Sequence, residues 1–101
     1  MASRYASFRE FYPYYLGEHS DRRCRRLHFV GTSLGLAQLV AALLLREPRL
    51  ALSALVTAYG FAWFGHYVFE KNRPATFQYP LYSLAGDLAM VRDIVAGRIR
   101  W

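Results

Sequence analysis

Three histidines, His19, His28 and His66, are the residues whose type and spacing could do chemistry in this chain. Neutral imidazoles bind first-row metals, and three of them on one ion leave positions open for oxygen or an anionic ligand. His28 stands 17 residues before Leu45 and His66 stands 16 residues after Leu50. Antiparallel helices joined between Leu45 and Leu50 therefore bring both to about the same depth. His19 precedes His28 by nine residues, across the polar stretch SDRRCRRL, which is long enough to fold back so that all three rings converge. Taken singly, each histidine reads as a satisfied core or interface residue; three at one depth in an apolar setting favour function, because ionisable groups there are costly. Glu70 follows His66 by four residues. On a continuing helix its carboxylate would share that face and bond the imidazole or join as a ligand; otherwise it is a helix-end carboxylate paired with Lys71 or Arg73. Ligand type alone leaves zinc, iron and other first-row metals open. Lys71, Arg73 and the Arg22–Arg26 cluster could hold a carboxylate or phosphate, although the same arginines also serve as topology determinants.

The elements that must position these residues follow from the pattern of charge. The chain has 101 residues, 54% hydrophobic, 17% aromatic and 20% charged, which makes one small domain and excludes both a multi-domain enzyme and a disordered tail. Its one cysteine, Cys24, excludes an internal disulfide framework and a cysteine-built zinc cluster. The net charge of +6 points to nucleic acid or an anionic membrane surface. Nucleic acid is disfavoured, since the arginines adjoin apolar runs and no nucleic-acid motif is present.

Two runs, 27–45 and 50–69, carry no Asp, Glu, Lys or Arg. Each would be roughly 30 Å long as a helix, close to the hydrocarbon thickness of a bilayer. Arg46-Glu47-Pro48-Arg49 between them reads as a turn, so the expected fold is all-α: a membrane helical hairpin of two spanning helices within a single domain, residues 1–101. Gly31 and Gly35 form a small-xxx-small pair suited to close helix packing in lipid. The alternative is a soluble hairpin buried in a homo-oligomer. Six basic residues flank the ends of the hairpin (Arg22, Arg23, Arg25, Arg26, Lys71, Arg73) against two at its turn (Arg46, Arg49), which places both termini on the cytoplasmic side. The first 16 residues lack the continuous apolar core of a secretory signal and are expected to remain in the mature protein. Flanking amphipathic helices are expected over about 4–16, with Tyr5, Phe8, Phe11 or Tyr12, and Tyr15 at helical spacing, and over about 80–96, with Leu81, Leu84, Leu88, Val91 and Val95 on one face and Gly97 as its cap. Either lies on or partly enters the membrane, or packs on the hairpin as core.

The strings EHSDRRCRRLHFVGT at 18–32 and GFAWFGHYVFEKNRPATFQYPLYSLAGDLAM at 60–90 resemble the Mpo-type family of small membrane proteins, which includes fungal 2-hydroxy fatty acid dioxygenases; the compact form is similar to bacterial-type members, implying a bacterial inner membrane. The similarity runs from about Phe11 to Trp101. It implies an Fe(2+)-dependent enzyme that uses dioxygen to remove the carboxyl carbon of a 2-hydroxy fatty acid or related lipid. It also implies iron ligands at His19, His28 and His66, with Glu70 and Asn72 as supporting or ligand residues, and Asn72, Arg73 and Lys71 toward the substrate. Many relatives have Asn where this chain has Cys24, a departure that bears on the contacts behind the ligands. Two other classes stay open: a non-catalytic integral membrane module binding lipid or a partner protein, and a bis-histidine haem protein using His28 and His66.

Overall fold

The computed structural model describes residues 5–101. Four α-helices follow one another: α1 (Phe8–Gly17), α2 (Arg22–Leu45), α3 (Pro48–Phe64) and α4 (Pro80–Val95). A π-helix, Gly65–Glu70, continues α3, and a 3-10 turn, Ala75–Phe77, leads into α4. No strand occurs among the described residues, so the fold is all-helical. The start expected for the first helix, Arg4, lies outside the described residues.

Each helix begins and ends where its side chains permit. The Ser7 hydroxyl accepts the Glu10 N–H at 3.3 Å while the Glu10 carboxylate accepts the Ala6 N–H at 3.0 Å, a reciprocal cap on α1. Asp21 opens α2 by accepting the Arg23 N–H at 2.8 Å. Arg46 closes it in the left-handed region, φ 52°. Pro48, with φ pre-set for a first helical position, starts α3 at once. Only Arg46 and Glu47 therefore link the two helices, a shorter connection than the four-residue turn expected. Beyond α4, Gly97 at φ 80° donates to Ile94 O at 3.1 Å and Arg98 donates to Asp93 O at 2.8 Å, the paired bonds of a Schellman ending.

Helices α2 and α3 share the most extensive interface. Their buried residues are mostly small: Gly31, Gly35 and Ala42 on α2, Ala54 and Ala62 on α3. A Cβ at Gly31 would stand 2.5 Å from Phe61 Cβ, so the two backbones meet only because that side chain is absent. The large residues turn outward: Leu43, Leu45, Leu52 and Val56 are exposed, and Leu44 is 78% exposed. Small residues inside and leucines outside is the arrangement of helices packed in an apolar medium. Helix α2 is long and apolar enough to cross a membrane. The second expected span, 50–69, is divided: α3 supplies 17 α-helical residues and the chain then widens into the π-helix. One candidate span is thus what the fold establishes.

The outer helices, open between membrane surface and core packing in the sequence, differ from each other. The aromatic face of α1 packs on α4: Phe11 and Tyr15 form a core with Ala75, Tyr79 and Met90, ringed by Phe8, Tyr12 and Tyr82. Helix α4 turns its leucines out, with Leu81 80% exposed and Leu84, Leu88 and Val95 also exposed, and buries Ser83, Gly86, Ala89, Met90 and Asp93. Close approach to α1 requires that inversion, since a Cβ at Gly86 would lie 2.7 Å from the Tyr15 ring. A polar clamp completes the contact. Asp93 accepts from the Tyr12 hydroxyl at 2.7 Å, from Arg92 at 3.0 Å and from Arg98 at 3.2 Å.

The hydrogen bond from Arg92, aided by those from Tyr12 and Arg98, holds the Asp93 carboxyl below its ordinary value of 3.8. A depressed folded value contributes stability above the unfolded pKa, and that contribution is lost as pH falls through the folded one. Thermal unfolding in detergent should show wild type losing stability below about pH 4. Asp93→Asn should be destabilised at neutral pH by about 1 kcal/mol, the arginines being solvated, and should show a flatter acid limb.

Candidate metal centre

His19 lies just beyond the end of α1, His28 in the second turn of α2, and His66 at the second position of the π-helix. All three are buried, at 1–2% exposure. Their rings stand edge to face, with centroids 4.3 Å apart for His19 and His28, 4.4 Å for His19 and His66, and 4.9 Å for His28 and His66. Each ring has one nitrogen against an oxygen. His19 Nδ1 is 2.6 Å from Tyr15 O, His28 Nδ1 is 3.1 Å from Cys24 O, and His66 Nδ1 is 2.7 Å from Asn72 Oδ1. These partners are carbonyl or amide oxygens, which only accept, so every Nδ1 carries the proton and every Nε2 keeps its lone pair.

That assignment creates a conflict which a cation resolves. His19 Nε2 and His28 Nε2 are 3.0 Å apart, lone pair against lone pair in a buried site. Burial, and then the neighbouring His28 and His66 rings, push His19 well below its ordinary 6.5, so protonation is not the natural relief. Two imidazole nitrogens on one ion with bonds of about 2.1 Å stand roughly 3.0 Å apart at cis-octahedral positions and roughly 3.4 Å apart in a tetrahedron. The donor set fits a metal ion, and its closest edge lies at the octahedral end of that range. One ligand atom from each of His19, Cys24, His28 and His66 falls within 4.8 Å of the others. Three rings so close leave no slot between His28 and His66 for a haem macrocycle.

The residues around the trio hold it in place. Asn72 accepts from His66 and donates its amide N–H to Glu18 O at 3.2 Å, tying the π-helix to the end of α1. Glu70 does not meet His66. Its carboxylate accepts the Asp21 N–H at 2.6 Å and the Ser20 hydroxyl at 3.4 Å, fastening the link before α2. Glu70 is the last residue of the π-helix, and the link before α2 comes close enough to take up its carboxylate. Gly65 permits the approach of α2, since its Cβ would lie 3.0 Å from Cys24 Sγ. Lys71 is exposed at φ 57° after the π-helix. The Arg73 guanidinium lies over the Phe77 ring at 4.8 Å and borders a polar cleft with Tyr14, Glu18 and Gln78.

Three further residues belong to the site. Asp87 accepts a short hydrogen bond from the Tyr15 hydroxyl, and one carboxylate oxygen is 3.9 Å from His28 Nε2. Tyr15 also stacks on His19 at 4.0 Å between centroids. Cys24 places Sγ 3.7 Å from His28 Nδ1, on the protonated side of the ring. Sequence signals existed for two of them: Asp87 is a lone acid in the apolar stretch SLAGDLAM, and Cys24 precedes His28 by four residues on one helix face. Nothing in the spacing of Tyr15 separated it from the other aromatics of α1.

A buried tripod of imidazoles with acceptor-fixed tautomers, in an all-helical fold with an apolar exterior, defines a candidate metalloprotein. A family model described as 2-hydroxy-palmitic acid dioxygenase Mpo1-like matches residues 5–99, nearly the whole chain, and the protein belongs to that family. No curated protein and no solved structure matches it.

Anaerobic purification followed by metal analysis should find about one ion per chain, lost on His19→Ala, His28→Ala or His66→Ala. Asn72→Ala should weaken binding by roughly 10- to 100-fold, the usual effect of removing the partner of a ligating imidazole. Cys24→Ser should keep the ion, and the Co(II)-loaded wild type should show no thiolate charge-transfer band; the opposite pair of results would make Cys24 a ligand.

Proposed function

We propose that the protein is a membrane-embedded, iron(II)-dependent dioxygenase that shortens a 2-hydroxy fatty acid by one carbon. The observation that carries this reading is the trio of neutral imidazoles with Nε2 of His19 and His28 held 3.0 Å apart. The family's name supplies the substrate class. In balance, a 2-hydroxy acid and dioxygen give the acid one carbon shorter, carbon dioxide and water. The C1–C2 bond breaks, C2 rises from alcohol to carboxyl, C1 leaves as carbon dioxide, and dioxygen takes the four electrons.

His19, His28 and His66 would hold the iron, which when bound supplies the place where the 2-hydroxy carboxylate and dioxygen meet. The chain's own residues do the remaining work. Tyr15 O, Cys24 O and Asn72 Oδ1 fix the ring tautomers and orientations. Asn72 and Glu70 act as positioning residues, the first behind His66 and the second beneath the link that carries His19 and Asp21. Asp87 is pushed up to about 6 by burial, against the Tyr15 hydrogen bond that lowers it; it is the carboxyl placed to hold or move a proton of the substrate hydroxyl. Lys71 and Arg73, exposed beyond the π-helix, draw in the carboxylate head.

Both helices of the hairpin enter the bilayer in this reading, α3 together with the π-helix reaching the length that α3 lacks alone. The outward leucines of α2, α3 and α4 meet lipid. The bias of six basic residues over two keeps the site and both termini at the cytoplasmic face of the bacterial inner membrane.

Iron-loaded protein in nanodiscs should consume dioxygen and 2-hydroxypalmitic acid together and release the acid one carbon shorter, while the unhydroxylated acid should be inert. Each histidine-to-alanine variant should lose at least about 100-fold of that activity. A folded wild type that takes up no metal, or takes it up and leaves the hydroxy acid intact, would overturn the assignment.

A further inference from the structure

A trough of about 280 Å³ runs between α2, α3 and α4. Its polar lining is gathered at one end, where Thr32, Tyr59 and Asp87 stand. Asp87 at that end is the residue whose carboxylate reaches to 3.9 Å from His28 Nε2. From there the lining becomes wholly aliphatic toward the hairpin turn, through Leu36, Leu55, Leu39 and Ala51. The distance is roughly 10 Å along α2 from Thr32 to Leu39 and roughly 12 Å along α3 from Tyr59 to Ala51. Leu84 and Leu88 of α4 form the third wall, and both are partly open to the outside. The small side chains of the α2–α3 seam, Gly35, Ala54 and Ala58, leave the floor hollow.

One end polar and joined to the metal centre, the rest aliphatic and open to the side: this is the complement of a single-tailed amphiphile with its head at the histidines. We propose that the trough holds the hydrocarbon tail of the substrate, and that its far end at Leu39 and Ala51 sets how much tail the protein grips before the remainder passes into lipid. The proposal rests on the fatty-acid reading of the centre and adds a place and a length to it. A tail lying there exchanges contacts with lipid chains for contacts along the trough while the outward leucines keep their contact with the bilayer, so affinity should depend on chain length only until Ala51 is reached and then level off.

The test uses metal-loaded protein in nanodiscs, without oxygen, and two photoreactive forms of 2-hydroxypalmitic acid, one with the diazirine close to the head and one with it deep in the tail. The head probe should label Thr32, Tyr59 and Leu84, the tail probe Leu36, Leu39, Ala51 and Leu55, and unlabelled acid should compete with both. Ala51→Trp, which fills the far end of the trough, should weaken binding of 2-hydroxypalmitic acid and leave its short-chain homologue unchanged. Labelling by both probes of the outward residues Leu44, Leu52 and Val56 alike, without competition, would mean that the tail sits in bulk lipid and would overturn the proposal. Graded labelling in a protein that shows no oxygen-dependent turnover would support the trough and reject the dioxygenase reading; turnover with ungraded labelling would do the reverse.

Discussion

The rest of this structure depends on three Nδ1–H groups having somewhere to go. Each imidazole gives that proton to an oxygen that can only accept, and each acceptor comes from a different part of the chain: Tyr15 of α1, Cys24 of α2 and Asn72 beyond the π-helix. With the tautomers fixed, the remaining nitrogens are neutral donors aimed into buried space, where an unpaired lone pair is expensive. Helix ends, links and glycines can be understood as means of keeping these donors together. Glu70 fastens the link before α2, Gly65 lets that helix come in, and Gly86 admits the Tyr15 ring that stacks on His19.

The packing around the centre follows a second rule, small residues inside and leucines outside. In water a helix hides its leucines; here α4 hides Ser83, Gly86 and Ala89 and shows Leu81, Leu84 and Leu88. With the leucines turned out, close contact between backbones decides the interface instead, as at Gly31 against Phe61 and Gly86 against Tyr15. Only α1 packs in the ordinary way, through stacked aromatic rings whose edges and faces meet between 5 and 7 Å. The protein thus has an aromatic core between α1 and α4 and a small-residue seam between α2 and α3, with the histidines where the two meet.

How far this was legible in the sequence depended on the range of the signal. The helices were readable, because Pro48, Pro80 and Gly97 act locally. The convergence of the histidines was readable as well, because equal counts from a tight turn translate directly into equal depth. Two features were not. The leucine stripe of α4 has correct helical periodicity, but periodicity does not say which side is wet. Nor does any residue between Gly65 and Glu70 announce a π-helix, and the four-residue spacing of His66 and Glu70 does not reveal that Asp21 and Ser20 take up the carboxylate instead. Asn72, six residues on and past a left-handed turn at Lys71, takes that place through a reversal of the chain that only the folded backbone displays.

The wide separation of the contributors along the chain sets the order in which the protein can mature. When the hairpin has left the ribosome, His19 and His28 exist, but the oxygen that orients His66 sits at residue 72 and the carboxylate beside His28 at residue 87. A nascent chain that stops short of α4 carries the ligands and the oxygens that orient them, but lacks Asp87 beside His28 and the Gly86 surface on which Tyr15 packs. The candidate centre is therefore complete only when the last helix has been made, although every one of its histidines lies in the first two thirds of the chain.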